Sequence, residues 1–129
     1  MSYKEYTVKV YDNGTMYWNQ NGKLHREDGP AVERVDGTKY WYLNDKLNRE
    51  DGPAIELADG SKLWHLNGKR HREDGPAMEW ANGNKQWFLN DKEYTEEEFK
   101  MKMNPVKELT VADIERLLGY PVKIVKDIA

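Results

Sequence analysis

The stretch that decides the fold is REDGPAIELADGSKLWHLNGKRH, residues 49–71, because near-copies of it stand directly before and after it in the chain. REDGPAVERVDGTKYWYLNDKLN (26–48) and REDGPAMEWANGNKQWFLNDKEY (72–94) align with it without gaps, so the period is 23 residues. A degenerate first unit, NGTMYWNQNGKLH (13–25), precedes them. A fixed period of this length predicts a repeat architecture in which each unit packs against its neighbours.

Each unit carries two turn signals. In the first full unit they are Asp36-Gly37 and Asn44-Asp45, and similar dipeptides stand at the equivalent positions of the others. Such dipeptides tolerate the positive φ angles that tight hairpins need. The Gly-Pro pair of REDGPA interrupts the strand ladder and sets the entry into the next strand. We therefore predict a mainly β fold, an elongated antiparallel β-meander over residues 1–94.

The length of the Asp36-Gly37 turn decides which side chains share a face. With a two-residue loop, Val32 opposes Trp41 and Tyr40 lies on the other face. A three-residue loop with a bulge would shift this register and exchange the faces. We expect the two-residue register. The expected buried row is Val32, Trp41, Leu43, Ile55, Trp64, Leu66, Met78, Trp87 and Leu89, and the expected outward row contains Tyr40, Tyr42, His65 and Phe88.

Residues 95–129 show no repeat period and are predicted to form a separate small α/β cap over the sheet. TEEE (95–98) and TVAD (110–113) are capping-box sequences, which open helices. Gly119 is placed to end the second helix. PVKIV (121–125) is predicted to be a final strand.

The repeat resembles MORN-type repeats, and most closely a variant found in small phage and bacterial proteins. NGKLHREDGPA (21–31), NGKRHREDGPA (67–77) and NDKLNREDGPA (44–54) carry the resemblance, which covers residues 10–94. The Glu-Asp before Gly-Pro departs from the usual MORN pattern, and the tail also looks like segments of phage-type proteins. The resemblance implies an elongated antiparallel β-repeat sheet that is used for binding, with no catalytic residues to carry over.

The composition favours a binding protein without a cofactor. The net charge of -3 argues against broad nucleic-acid binding, and the lack of Cys excludes thiolate chemistry. The chain has only two serines and no phosphate-binding glycine motif, so we expect no enzyme. Metal ligation by His25 and His71 would need two units to converge, and Asn48 interrupts the pattern, so we expect no metal site. No apolar run approaches the roughly 20 residues that span a bilayer, and the N-terminus resembles no signal peptide. We therefore expect a cytoplasmic protein with no membrane contact.

Two surfaces are candidate binding sites. The outward aromatic row would anchor a protein partner, although aromatic residues also occur on strands simply because they favour β structure. The arginines at the repeat corners would hold phosphate through forked hydrogen bonds, or each would pair with a carboxylate of its own or the adjacent REDGPA. The candidate residues are Tyr40, Tyr42, His65 and Phe88 in the row and Arg26, Arg49, Arg70 and Arg72 at the corners.

Two functions follow from these surfaces. The leading hypothesis is a non-catalytic binding protein, a phage-type accessory protein that antagonises a host defence factor by protein–protein interaction. The alternative is a sponge that sequesters a phosphorylated nucleotide signalling molecule, with Arg on the phosphates and an aromatic ring on the base. A homodimer that pairs through the edge strand near residues 6–10 stays open.

Overall fold

The computed structural model of the 129-residue chain describes residues 3–105, 108–123 and 125. Over these residues the protein is mainly β, as the sequence predicts, with fourteen strands and two short helices near the C-terminus. The strands are β1 Thr7–Val10, β2 Met16–Gln20, β3 Lys23–Leu24, β4 Val32–Glu33, β5 Lys39–Tyr40, β6 Tyr42–Leu43, β7 Lys46–Leu47, β8 Ile55–Glu56, β9 Lys62–Leu63, β10 His65–Leu66, β11 Lys69–Arg70, β12 Met78–Glu79, β13 Lys85–Leu89 and β14 Lys92–Tyr94, and the helices are α1 Glu96–Met103 and α2 Val111–Leu118.

The main sheet is an antiparallel meander that follows the chain from one unit to the next. Its strands lie in the order β1-β2-β4-β5-β8-β9-β12-β13-β14, with β3 paired to β2, while β6-β7 and β10-β11 form two small separate hairpins. Each full unit adds two strands to the main sheet and one corner hairpin, so the predicted repeat meander is confirmed. Strand β1 lies at the end of the sheet, as expected of an edge strand, and the dimer that it would form stays a prediction.

The Asn-Asp and Asn-Gly corners are tight two-residue turns. Asn44 and Asp45 both have positive φ angles, 49° and 66°. Leu43 and Lys46 pair directly across them. This is the type I′ geometry that these dipeptides favour, and it confirms the corner turns.

The Asp-Gly turns contain three residues, so the two-residue register expected from the sequence is wrong. Val32 pairs with Tyr40 rather than with Trp41. The N–H of Gly37 donates to the carbonyl of Arg34, and Gly37 has a φ of 93°. Gly tolerates this angle and accommodates the extra residue as a bulge. The extra residue moves every side chain of the second strand to the other face.

One face of the corrected sheet is apolar. The row expected to face outward lies here, next to the valine and isoleucine side chains that the sequence analysis paired with tryptophan. The cross-strand partners along this face are Tyr17, Val32, Tyr40, Ile55, Leu63, Met78 and Gln86. The buried core cluster is Ile55, Leu63, Ala77, Met78 and Phe88.

The opposite face carries a ladder of alternating charges. Carboxylates and ammonium groups oppose each other on successive strands, an arrangement in which opposite charges stabilise the pairing. The tryptophans Trp41, Trp64 and Trp87 are only half-buried, so they are not the core that the sequence analysis expected. The ladder runs Glu33, Lys39, Glu56, Lys62, Glu79 and Lys85.

The helices form where the capping boxes predict them. Thr95 caps α1 and Thr110 caps α2, each with its full capping box, and α2 ends at Gly119 with a φ of 80°. Helix α1 packs on β13 and β14 and buries Phe99. In contrast, none of the side chains of α2 is buried.

The predicted strand at 121–125 is not formed at residues 121–123 and 125, and residue 124 lies outside the described residues. Among the helices that the structure describes, none has the length and hydrophobicity needed to cross a membrane.

Candidate functional site

Each REDGP segment folds around the side chain of its own arginine. In the last copy, Arg72 Nε donates to Asp74 at 2.8 Å, and Nη1 donates to the carbonyl of Pro76 at 3.1 Å and to Glu79 at 3.0 Å. The guanidinium also stacks on Trp64, 3.8 Å from the ring centroid. The arginine therefore ties its own loop to the tryptophan of the preceding strand. We call the segments 26–30, 49–53 and 72–76 the Arg loops.

The glycine of each Arg loop makes room for this arginine. A Cβ atom on Gly75 would lie 3.0 Å from Cζ of Arg72, and one on Gly52 would lie 3.0 Å from Cζ of Arg49. Such contacts are too short for a side chain to fit without a shift of the guanidinium. The Gly of REDGPA thus lets the guanidinium of its own Arg pack closely against the loop backbone.

The other two arginines repeat the arrangement. Arg26 lies 3.8 Å from the ring centroid of Trp18, and Arg49 lies 3.9 Å from that of Trp41. Each donates to its own aspartate at 3.0 Å. Of the two readings of these arginines, the geometry favours internal pairing, because Nε and Nη1 point at groups of the same unit. Their predicted role in binding phosphate stays a prediction.

The aromatic candidates lie on the core face. Phe88 is 3% exposed and His65 is 8% exposed, while Tyr40 and Tyr42 are half-buried with ring centroids 6.3 Å apart. Arg70 joins this row rather than the Arg loops, because it stacks 4.3 Å from the centroid of Phe88. A flat outward-facing aromatic surface is therefore not present over these residues, and a binding role for them stays a prediction.

Burial shapes the titration of two members of this row. It raises the pKa of Tyr42, because the phenolate would lose its hydration. It lowers the pKa of His65, because the imidazolium would lose its hydration. His65 Nδ1 is buried and has no hydrogen-bond partner in the described part of the chain. His65 therefore stays neutral over a wider pH range than a solvent-exposed histidine does.

Two equivalent grooves open between successive Arg loops. The first, of about 740 Å³, lies between loops 26–30 and 49–53, and the second, of about 720 Å³, lies between 49–53 and 72–76. Trp41 and Leu43 line the first groove. The corresponding side chains of the second groove are Trp64 and Leu66. The repeat thus presents the same apolar floor twice.

The rims of these grooves are acidic. In the second groove four carboxylates face two guanidinium groups, and both guanidinium groups already donate within their own loops. The carboxylates extend into solvent, as shown by Asp51, whose side chain is 87% exposed. The hydrogen bond from Arg72 lowers the pKa of Asp74 and keeps it ionised. The four carboxylates are Glu50, Asp51, Glu73 and Asp74.

Glu50 and Asp51 are the carboxylates shared by the two grooves, and Asp51 is bonded to Arg49 whereas Glu50 is not. Among the described residues Glu50 has no ion-pair partner within 4.0 Å. Glu73 lies 3.4 Å from Nε2 of His71. Nδ1 of that histidine lies 3.0 Å from the backbone N of Asn90 and accepts its N–H, so Nε2 is the ring nitrogen that faces Glu73. The charge of Glu50 is therefore not compensated among the described residues, and Glu73 has the imidazole of His71 beside it.

Sequence reasoning missed these two glutamates. It treated Glu-Asp as turn and salt-bridge residues, whereas only the aspartate bonds the arginine of the loop. The signal that could have found them is the glutamate in every REDGPA copy, which is the point of departure from the MORN pattern. Glu27 pairs with Lys4 and His25, and Glu73 lies against His71, so Glu50 is the copy that has no ion-pair partner among the described residues and is a candidate for contact with something else.

Comparisons with protein-family models, with curated proteins and with solved structures gave no match to this chain. The resemblance to MORN-type repeats therefore stays a prediction. Within the described ranges, no three His, Asp or Glu side chains converge in a way that could hold a metal ion.

Proposed function

We propose that the protein is a non-catalytic binding protein that engages a partner protein through the two grooves between its Arg loops. The observation that carries this proposal is the repetition of one groove, with an indole and a leucine on its floor and an excess of carboxylates on its rim. Protein interfaces use such aromatic floors as anchor points, and charged rims select the partner.

The repetition itself supports a macromolecular partner. Two equivalent sites on one rigid sheet bind a partner with two matching side chains more tightly than either site alone, because the second contact is intramolecular. In the setting that the sequence resemblance implies, the chain is a phage-type accessory protein. Its partner is then a host defence factor, which it antagonises by occupying a basic surface.

Sequestration of a phosphorylated nucleotide is the weaker candidate. A phosphate at the corners would meet arginines whose Nε and Nη1 atoms already donate to carboxylates and carbonyls. It would also lie beside the exposed carboxylates of Asp51 and Asp74, which repel it. The acidic rim favours a cationic partner instead.

Retention of proteins from bacterial lysate on the immobilised protein tests the proposal. We expect a specific protein to be retained by the wild type and lost by the double variant Glu50→Lys, Glu73→Lys, which reverses the charge of the rim. Asp12→Lys is the matched control, because Asp12 is exposed and lies in the Asn-Gly turn at the other end of the strands.

Two results would overturn the proposal. One is retention that the rim variant does not weaken, which would place the interface elsewhere. The other is the absence of any retained protein while native mass spectrometry detects a nucleotide bound after incubation with a nucleotide extract, which would favour sequestration.

A further inference from the structure

The spacing of the two grooves is set by the sheet. Successive units are joined by the pairing of β5 with β8 and of β9 with β12, so each unit advances the sheet by two strands. Neighbouring strands lie about 4.8 Å apart. Equivalent points of the two grooves are therefore separated by roughly 9.6 Å across the sheet.

One regular backbone conformation repeats its side chains at this spacing. A polyproline II helix has three residues per turn and a rise of about 3.1 Å, so residues i and i+3 point the same way about 9.3 Å apart. An extended β-strand places same-face side chains about 6.8 Å apart, which does not match the grooves. An α-helix returns to the same face after seven residues, about 10.5 Å along its axis, which is further from the groove spacing than the polyproline II repeat is.

The chemistry of the grooves selects the side chain. Arg49 already stacks on Trp41 and Arg72 on Trp64, so the stem of a further lysine or arginine packs on the part of the indole that stays exposed while its charged head reaches a carboxylate at the rim. Glu50 stands in the wall between the grooves and faces both, so it contributes to each of two neighbouring cations. The second groove is lined by four carboxylates and by two guanidinium groups that are bonded within their own loops, so its net charge is negative and attracts these cations.

We infer that the occupant of the grooves is a partner-protein segment in polyproline II conformation that carries Lys or Arg at every third residue. Successive cationic side chains enter successive grooves, and the residues between them cross the Arg loop at 49–53. Prolines at the intervening positions fix this conformation before binding and so reduce the entropy lost. This inference rests on the proposed function and names the partner's chemistry.

Two synthetic peptides of identical composition test the inference by calorimetric titration against the full chain. In the first, Lys-Pro-Pro is repeated, and in the second the lysines are consecutive and the prolines follow them. We expect the periodic peptide to bind at least about tenfold more tightly, a difference of about 1.4 kcal/mol. The double variant Glu50→Gln, Glu73→Gln should lose about tenfold of that affinity, while Asp12→Asn should not change it.

Each other outcome counts against the inference. Equal affinities for the two peptides would show attraction by charge alone, and tighter binding of a lysine-rich helical peptide would show the wrong conformation. If neither peptide binds but the lysate partner still depends on Glu50 and Glu73, the proposed function stands and the inference fails. The glutamine variants must keep the thermal unfolding midpoint of the wild type, which we expect because neither glutamate holds the loops together.

Discussion

The repeat sheet and the C-terminal helix α2 are stabilised in opposite ways. In the sheet, polar side chains bond from one unit to the next, as when Ser61 Oγ accepts the N–H of Ala81 at 2.9 Å. In α2, the capping bonds between Thr110 and Asp113 stay within one turn of the helix. Long-range bonds make the units interdependent, whereas local bonds leave a helix free to vary alone.

The apolar side chains of the sheet and of α2 also differ, in how far they are buried. Every full unit of the sheet has an alanine with no exposed surface, Ala31, Ala54 or Ala77, at the end of its Arg loop. The carbonyl of each accepts the N–H of the tryptophan in the preceding unit. In α2 the apolar side chains Leu117 and Leu118 are exposed instead. Substitution of an apolar side chain should therefore lower the free energy of unfolding far more in the sheet than in α2.

The largest contrast is expected for Phe88→Ala against Leu117→Ala. Phe88 is buried in the core cluster, so its truncation leaves a cavity and should lower the free energy of unfolding by about 3–5 kcal/mol. Leu117 is 74% exposed, and its truncation should change that free energy by less than about 0.5 kcal/mol. Chemical denaturation of the two variants measures the contrast, and equal losses would show that the tail belongs to the same core.

The next contrast is between two arginines. Arg72→Gln removes the stacking on Trp64 and the charged hydrogen bonds of its loop, and should cost about 2–3 kcal/mol. Arg116→Gln removes only an exposed ion pair with Asp113 and should cost at most about 0.5 kcal/mol. Urea unfolding monitored by tryptophan fluorescence compares them. If Arg72→Gln left the free energy of unfolding unchanged, the Arg loops would not need their arginine.

A smaller effect is expected at the corner between units. Nδ1 of His25 accepts the N–H of Asn44 at 3.0 Å, and Asn48 Oδ1 accepts the equivalent N–H of Asn67 at 2.8 Å one unit later. His25→Asn should therefore be tolerated, while His25→Leu should cost about 1 kcal/mol more because that N–H loses its acceptor. Thermal unfolding of the pair measures the difference, and identical midpoints would contradict a role for this bond.

The smallest expected effect is a fall of the melting temperature at low pH. The carboxylates of Asp36 and Asp59 accept the backbone N–H two residues on, and this hydrogen bond lowers the pKa of each below its ordinary value of 3.8. A carboxyl with a lowered folded-state pKa stabilises the fold above its unfolded-state pKa, and this stabilisation is lost as the pH falls through the folded-state value. The melting temperature should therefore fall on acidification below about pH 4.

Two other units supply the control for this pH dependence. Asn13 and Asn82 make the same turn bond at 2.9 Å with a side chain that does not titrate. The double variant Asp36→Asn, Asp59→Asn should keep the turns and lose less melting temperature between about pH 5 and pH 3 than the wild type does. Superimposable pH profiles would contradict this.

The sequence predicted the architecture because repetition makes local signals agree. The 23-residue period, the type I′ corners and both capping boxes are read from adjacent residues and are confirmed. The faces could not be read in this way. One extra residue in the Asp-Gly turn exchanges them, and the dipeptide is compatible with either a two-residue or a three-residue loop.

The grooves were beyond sequence reasoning for another reason. They exist only between loops of neighbouring units, and their chemistry depends on which side chains are already bonded within a loop. The Arg of REDGPA attracts attention as a ligand for anions, but its donors are directed inward. The neighbouring glutamate becomes a candidate contact residue only when the structure shows that no described residue forms an ion pair with Glu50.

Nuclear magnetic resonance of the tryptophan indole N–H groups during titration with the periodic Lys-Pro-Pro peptide shows whether the peptide occupies the grooves. Trp41 and Trp64 line the grooves, whereas Trp80 lies at the Asp-Gly turn end and donates to Gln86 at 2.8 Å. Binding of the peptide in the grooves predicts that the signals of Trp41 and Trp64 shift on titration and that the signal of Trp80 does not. Equal shifts of all three, or no shift at Trp41 and Trp64 while the peptide binds, would contradict it.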